Sequence, residues 1–195
     1  KGGYTTYKIS EGIDEGQVLL QETVETTDDD TSETLYKKVQ DRAISSYDLI
    51  FDSIIKDEFE IVQPQDTKNI YHKCLMPNDR FVCWEWKTEF IIRMYRSLKF
   101  GDYPTIRTRL SNGANVELKI VSHGTDEQDK PGKFTKPVNG VSRIFTIDGY
   151  VDVLGMNNVM LNNDETLVSV SQGEYNIDMN HSEKYLEDTY FQTRL

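Results

Sequence analysis

Apolar and polar positions change their period several times along this chain. Over residues 4–9 they alternate, and the β-branched Thr5 and Thr6 between Tyr4 and Tyr7 favour an extended strand. Ser10-Glu11-Gly12 breaks that run. Val18-Leu19-Leu20 opens a second one, which alternates onward through Glu22, Val24 and Thr26. The two read as neighbouring strands around a glycine-bracketed turn, Gly12-Ile13-Asp14-Glu15-Gly16, with their relative direction left open by the pattern. The period then lengthens. Leu35, Val39, Ala43, Tyr47, Ile50 and Ile54 recur at three- to four-residue steps, which predicts one amphipathic helix over residues 31–55. Asp30 is placed to cap it, and Glu33 completes a capping-box arrangement.

Residues 57–87 are mixed, punctuated by Pro64 and Pro77, with a strand-like run from Phe81 through Trp86. A second helix is predicted over residues 88–98. Phe90, Ile91, Met94, Tyr95 and Leu98 lie on its inner side, and Arg93, Arg96 and Lys99 on or near the other. Gly101 takes the C′ position and Pro104 lies just beyond. From residue 105 to 170 the chain reads as all-β. Asn112-Gly113 joins two alternating runs as a hairpin, and a charged Pro/Gly loop spans residues 124–140. Further strands are predicted over 142–146, 150–154 and 158–161, a spacing that suggests a small barrel. Asn180 and Glu183 cap a short last helix over residues 181–191.

Charge narrows the choice of partners. The net charge is −11 over 195 residues. Residues 1–60 carry 6 basic and 15 acidic side chains, residues 61–100 carry 7 and 4, and residues 101–195 carry 9 and 14. A polyanion-binding surface needs clustered Lys and Arg, so the acidic C-terminal half disfavours nucleic acid. No apolar run reaches the ~20 residues of a membrane span, and the opening Lys1-Gly-Gly lacks the apolar core of a signal peptide. Cys74 and Cys83 lie nine apart without a CxxC pattern. A disulfide between them is unforced, reduced thiols in a cytoplasmic protein are preferred, and ligands for zinc are too few. The acids Asp28, Asp29 and Asp30 read as helix capping rather than a metal site. Trp84 and Trp86 read as packing residues, and His72, His123 and His181 as surface or loop residues.

Three stretches together resemble the formyltransferase family that uses 10-formyltetrahydrofolate, which includes methionyl-tRNA formyltransferase and the sugar-nucleotide N-formyltransferases. YTTYKISEGIDEGQVLLQETV is similar to the family's strand–loop–strand, where an Asp followed two residues on by Gly closes the active site. DDDTSETLYKKV is similar to its "DT…TL…KL" helix start. MPNDRFVCWEW with IIRMYRSLKFGDYPT is similar to its passage into the C-terminal domain. The similarity covers roughly residues 3–165.

The resemblance implies an α/β fold: the C-terminal part of a Rossmann-like formyltransferase domain, followed by a small OB-like β-barrel. Residues 1–60 would complete the catalytic domain, 61–103 connect, 104–172 form the barrel, and 173–195 form a tail with a short helix. It also implies formyl transfer from 10-formyltetrahydrofolate, as co-substrate, to the amine of a small-molecule nucleotide-linked amino sugar. Asp14 takes the catalytic position. In the family this Asp bonds to a His and an ordered water, tuning the imidazole and helping to carry away the amine's proton. Ser10, Glu11, Gly12 and Ile13 match the backbone that lines the pterin pocket. The family's Asn-x-His motif is absent, and two explanations arise, a piece of a longer chain or a degenerate parent. The first is preferred, because a strand pair and helix without a sheet behind them would leave apolar surface exposed. Initiator-tRNA formylation and a non-catalytic binding module are the alternatives. A nucleotide-diphosphate role for Arg93 and Arg96 stands behind the default of a solvated helix face. Oligomeric state stays open, with the Arg93 helix or the barrel offering surface for a homodimer.

Overall fold

A computed structural model of the chain describes residues 2–11, 16–56, 77–156 and 167. They fall in two compact units, Lys1–Asn69 and Ile70–Leu195. The expected strand over residues 158–161, the last helix, Cys74, His72 and His181 lie outside the described residues.

In the first unit, β1 (Gly2–Tyr7) and β2 (Val18–Val24) form an antiparallel hairpin, settling the direction that the pattern left open. Its register runs from Gly2 opposite Val24 to Thr6 opposite Leu20, and then shifts so that Tyr7 faces Val18. The predicted single helix is instead two, α1 (Ser32–Ser45) and α2 (Tyr47–Lys56), divided at Ser46. The cap also sits one residue later than predicted. Thr31 accepts from the Thr34 amide while the Thr34 hydroxyl accepts from the Thr31 amide, closing a capping box without Glu33. Asp30 serves the same turn from outside, accepting from the Thr27 amide (2.8 Å), the Thr34 hydroxyl (2.9 Å) and the Lys38 ammonium (2.6 Å). Helix α1 packs on the hairpin closely: a Cβ at Gly2 would lie 2.8 Å from a Leu35 methyl.

The second unit holds α3 (Thr88–Leu98) against an antiparallel sheet of β3 (Ile106–Arg109), β4 (Asn115–Gly124), β5 (Ser142–Phe145) and β6 (Tyr150–Leu154), in the order β3-β4-β6-β5. The Asn112-Gly113 turn joins β3 to β4 as predicted, with Gly113 at φ +86°. Both outer edges are partly occupied by irregular chain. The Val82 amide bonds to the Arg107 carbonyl (2.9 Å) on one side, and the Thr135 amide to the Arg143 carbonyl (2.8 Å) on the other. Among the described residues the sheet does not close into a barrel.

One core joins helix and sheet. Trp84, Ile91, Ile106, Leu118, Ile144, Val151, Val153 and Met156 have no exposed surface. Both tryptophans pack here as predicted, whereas Phe90 is only half-buried. The run from Phe81 to Trp86 is not a strand. Phe81, Val82, Trp84 and Trp86 are all buried, and the Trp86 amide turns back to the Cys83 carbonyl (3.1 Å). Burial of Val82, Trp84 and Trp86 alternates as in a strand, but the backbone bond across residues 83–86 makes this stretch a turn. The half-buried Cys83 thiol donates to Glu85.

Helix α3 starts without a local side-chain cap. Asp148, sixty residues on, accepts from the Thr88 amide (2.8 Å) and hydroxyl (2.9 Å). The helix ends at Lys99, earlier than a C′ glycine at 101 would place it, and Gly101 (φ +51°) serves the following turn.

Candidate functional site

Strands β1 and β2 fix the two ends of the segment that the sequence singled out. The Lys8 amide donates to the Gln17 carbonyl at 2.8 Å, extending the hairpin toward residues 10–16. Ser10 and Glu11 are exposed on the entering side. Gly12, Ile13 and Asp14 lie outside the described residues, so the expected grouping of five is met by two placed residues. On the leaving side, Gly16 presses against the incoming strand. A Cβ there would lie 2.0 Å from the Lys8 carbonyl oxygen and 2.7 Å from the Tyr7 ring. Real Cβ contacts do not approach so closely, so the glycine two residues after Asp14 is required sterically, by the way the chain closes.

Glu22, which the sequence did not single out, joins this hairpin to the helices. Its carboxylate accepts from the Tyr4 hydroxyl (2.6 Å), the Ser46 hydroxyl (2.7 Å) and the Arg42 guanidinium (2.7 Å). Ser46 is the buried residue that divides α1 from α2, so one carboxylate ties both strands to the helix break. The hydrogen bond from Tyr4, then those from Ser46 and Arg42, hold the Glu22 carboxyl down from 4.5 to about 2. Burial, followed by the bond to Glu22, pushes the Tyr4 phenol up. Asp30 is also lowered, chiefly by Lys38.

A carboxyl whose pKa falls on folding contributes stability above its unfolded value and loses it as pH falls through the folded one. The first unit is therefore expected to loosen as pH drops from 4.5 toward 2, followed by far-UV circular dichroism. Glu22→Gln should lower stability at neutral pH and flatten the acid limb. An acid limb identical to the unsubstituted protein would contradict this role.

The other sequence candidates lie in the second unit. Arg93 is exposed and pairs with Glu89 one helical turn away, which fits the solvated-face reading. Arg96 is half-buried, and its Nε has no hydrogen-bond partner among the described residues. His123 is exposed on β4. No group of three or more potential metal ligands occurs among the described residues, and no helix among them is long and apolar enough to cross a membrane.

No protein-family model matches the chain. The methionyl-tRNA formyltransferase of Leptospira interrogans is 31% identical over 137 residues, 70% of this chain and 43% of that protein. HypX from Aquifex aeolicus, in complex with tetrahydrofolic acid, superposes with a TM-score of 0.60 at 17% identity, covering 89% of this chain and 30% of that one. The N-formyltransferase from Helicobacter canadensis, in complex with folinic acid and dTDP-3-aminofucose, does so with a TM-score of 0.50 at 18% identity, covering 78% and 55%. At those identities the structures support the mixed α/β fold alone. The chain spans less than half the length of the curated relatives it matches. The chain thus resembles part of a formyltransferase, at 31–32% identity to methionyl-tRNA formyltransferases over 32–43% of their length.

Proposed function

We propose that the full-length protein is a folate-dependent N-formyltransferase that moves a formyl group from 10-formyltetrahydrofolate to the amine of a nucleotide-linked amino sugar. The observation that carries it is the β1–β2 hairpin. Its two paired strands flank the SEGIDEG segment in the sequence, and Gly16 is closed against Lys8. Formyl transfer needs a neutral amine as nucleophile, stabilisation of the oxyanion formed at the formyl carbon, and a route for the amine's proton. In this reading Asp14 supplies part of the proton route by holding a histidine of the full-length protein. The backbone of Ser10, Glu11, Gly12 and Ile13 lines the folate pocket. Residues 1–60 are the end of the catalytic domain, 61–103 connect, and 104–172 are a small OB-like barrel ahead of the tail at 173–195. The exposed apolar side chains of α1 and α2, Ile44, Leu49, Phe51 and Ile55 among them, are surface that the remainder of that domain would cover. A cytoplasmic location and a homodimer belong to the same proposal.

The choice of amine rests on charge. Arg80, Arg93, Arg107 and Arg143 each pair with a carboxylate: Glu117, Glu89, Asp79, and both Glu127 and Asp152. Neutralised arginines make a poor polyanion surface, which supports a small nucleotide sugar over tRNA. The dTDP-3-aminofucose bound by the Helicobacter canadensis protein is a ligand of that class. The second reading is initiator-tRNA formylation, favoured by the 31% identity to a methionyl-tRNA formyltransferase. The two separate in one assay. The full-length protein is given 10-formyltetrahydrofolate and either dTDP-linked amino sugars or methionyl initiator tRNA. Transfer to the sugar amine is the expected result, and transfer to the tRNA alone overturns this choice.

A further inference from the structure

We propose that the second unit carries a binding site for a small amphipathic monoanion, between the turn after α3 and the middle of β4. A cavity of about 480 Å³ lies there, within the roughly 300–1,000 Å³ common for small-ligand sites. Its apolar wall includes Tyr103, Val121 and Leu154, which are 71%, 52% and 37% exposed. Three large apolar side chains around one concavity would bury surface against the body of a ligand.

Two features of the backbone build that wall. Strand β4 carries a bulge: Ile120 faces Val153 and Ser122 faces Asp152, so Val121 has no partner in the register. A bulge bends its strand and re-aims a side chain, and bulges gather beside binding sites. Where β6 ends, Gly155 takes φ +115°, and a Cβ there would lie 2.3 Å from the Glu117 carbonyl oxygen. Only glycine lets the two chains meet this closely at the cavity rim.

Charge selects the ligand. Lys99 and Lys119 line the cavity, and neither forms an ion pair with a described residue; Lys99 has only the face of the Tyr95 ring, at 6.0 Å. Two carboxylates share the wall. Glu117 is engaged by Arg80 at 3.1 Å, which leaves Asp102 against two ammonium groups and a net charge of one positive. An anion with an aromatic or alkyl body satisfies both halves: its charged group meets the lysines and its apolar part lies on Tyr103 and Leu154. Carboxylates and sulfonates share this chemistry.

The test is a fluorescence titration of the full-length protein with anilinonaphthalene sulfonate, and with the uncharged N-phenylnaphthylamine as control. The expected result is one saturable, lysine-dependent site per chain, weakened roughly tenfold by each of Lys99→Gln and Lys119→Gln, the loss of one charge-assisted contact. The uncharged probe should bind more weakly and ignore both substitutions. Tyr103→Ala should weaken both probes, and the thermal midpoint of each exposed-lysine variant should stay unchanged. Binding of the sulfonate that is equally strong in the double lysine variant, or no saturable binding, overturns the proposal.

Discussion

Asp14→Asn in the full-length protein is expected to lower formyl transfer by about 10²- to 10⁴-fold, the range produced by losing a group that assists proton transfer. Asparagine keeps the shape of the side chain and removes its charge. In the proposed reading that charge holds a neighbouring imidazole in its useful protonation state. The loss should therefore appear mainly in kcat, and the pH–rate profile should shift its limb to lower pH, because an imidazole without its carboxylate protonates less readily. A merely structural role at the turn would lower activity through folding and leave the profile in place. Asp28→Asn is the matched control: Asp28 is an exposed acid, at the start of the same unit's helical region. Wild-type turnover in Asp14→Asn, with the fold intact, would remove Asp14 from the mechanism. Gly16 lets the same question be put through the backbone. Even alanine there would push against the Lys8 carbonyl and so displace the loop without touching Asp14's charge.

How much of this could be read from the chain depends on which contacts set each feature. The hairpin of β1 and β2 was legible because its alternation and its glycines are local signals. The β3–β4 hairpin was legible for the same reason, since Asn112-Gly113 supplies the left-handed turn by itself. The division of the predicted long helix was not legible. Ala43, Tyr47 and Ile50 keep helical spacing across it, and the Ser46 hydroxyl at the division bonds to Glu22, twenty-four residues away. The shift from Asp30 to Thr31 as cap has a similar origin. Both residues are good caps, and Lys38 and Thr27 engage Asp30. Phe81 to Trp86 looked like a strand because aromatic and β-branched residues favour strands, and its alternate burial agrees, yet the Trp86 amide turns back to Cys83 instead of continuing a ladder. For the site, residues alone gave only a turn with an acid in it. Asp14 acquired a role through resemblance to the formyltransferase family, and Glu22 was missed because its three partners come from one strand and two places on the helices.

Trp84→Ala is expected to destabilise the second unit by about 3–5 kcal/mol, the range for deleting a buried large aromatic side chain. Trp84 has no exposed surface, and its indole Nε1 donates to the Thr108 hydroxyl at 3.0 Å, itself fully buried on β3. The side chain therefore does two things in one place. It fills the space between helix and sheet, and it satisfies a hydroxyl that the strand carries into the core. Trp84→Phe separates them, because it keeps much of the apolar bulk while removing the donor. Leaving a buried polar group short of a partner costs about 1–3 kcal/mol, so the Phe variant should fall between the Ala variant and the parent in urea unfolding. Gly132 sharpens the expectation. A Cβ there would lie 3.5 Å from Trp84 Cδ1 and 2.9 Å from the Leu167 carbonyl oxygen. The Gly132 amide is meanwhile bonded to the Phe145 carbonyl on β5 at 2.9 Å. The indole thus packs beside the segment that covers the edge of β5 as well as bonding to β3. Its loss should loosen both sides of the sheet in a single transition, with one lowered urea midpoint followed by tryptophan fluorescence from Trp86 and by circular dichroism alike. Two separated transitions would mean that the helix and the sheet do not share the core that Trp84 joins.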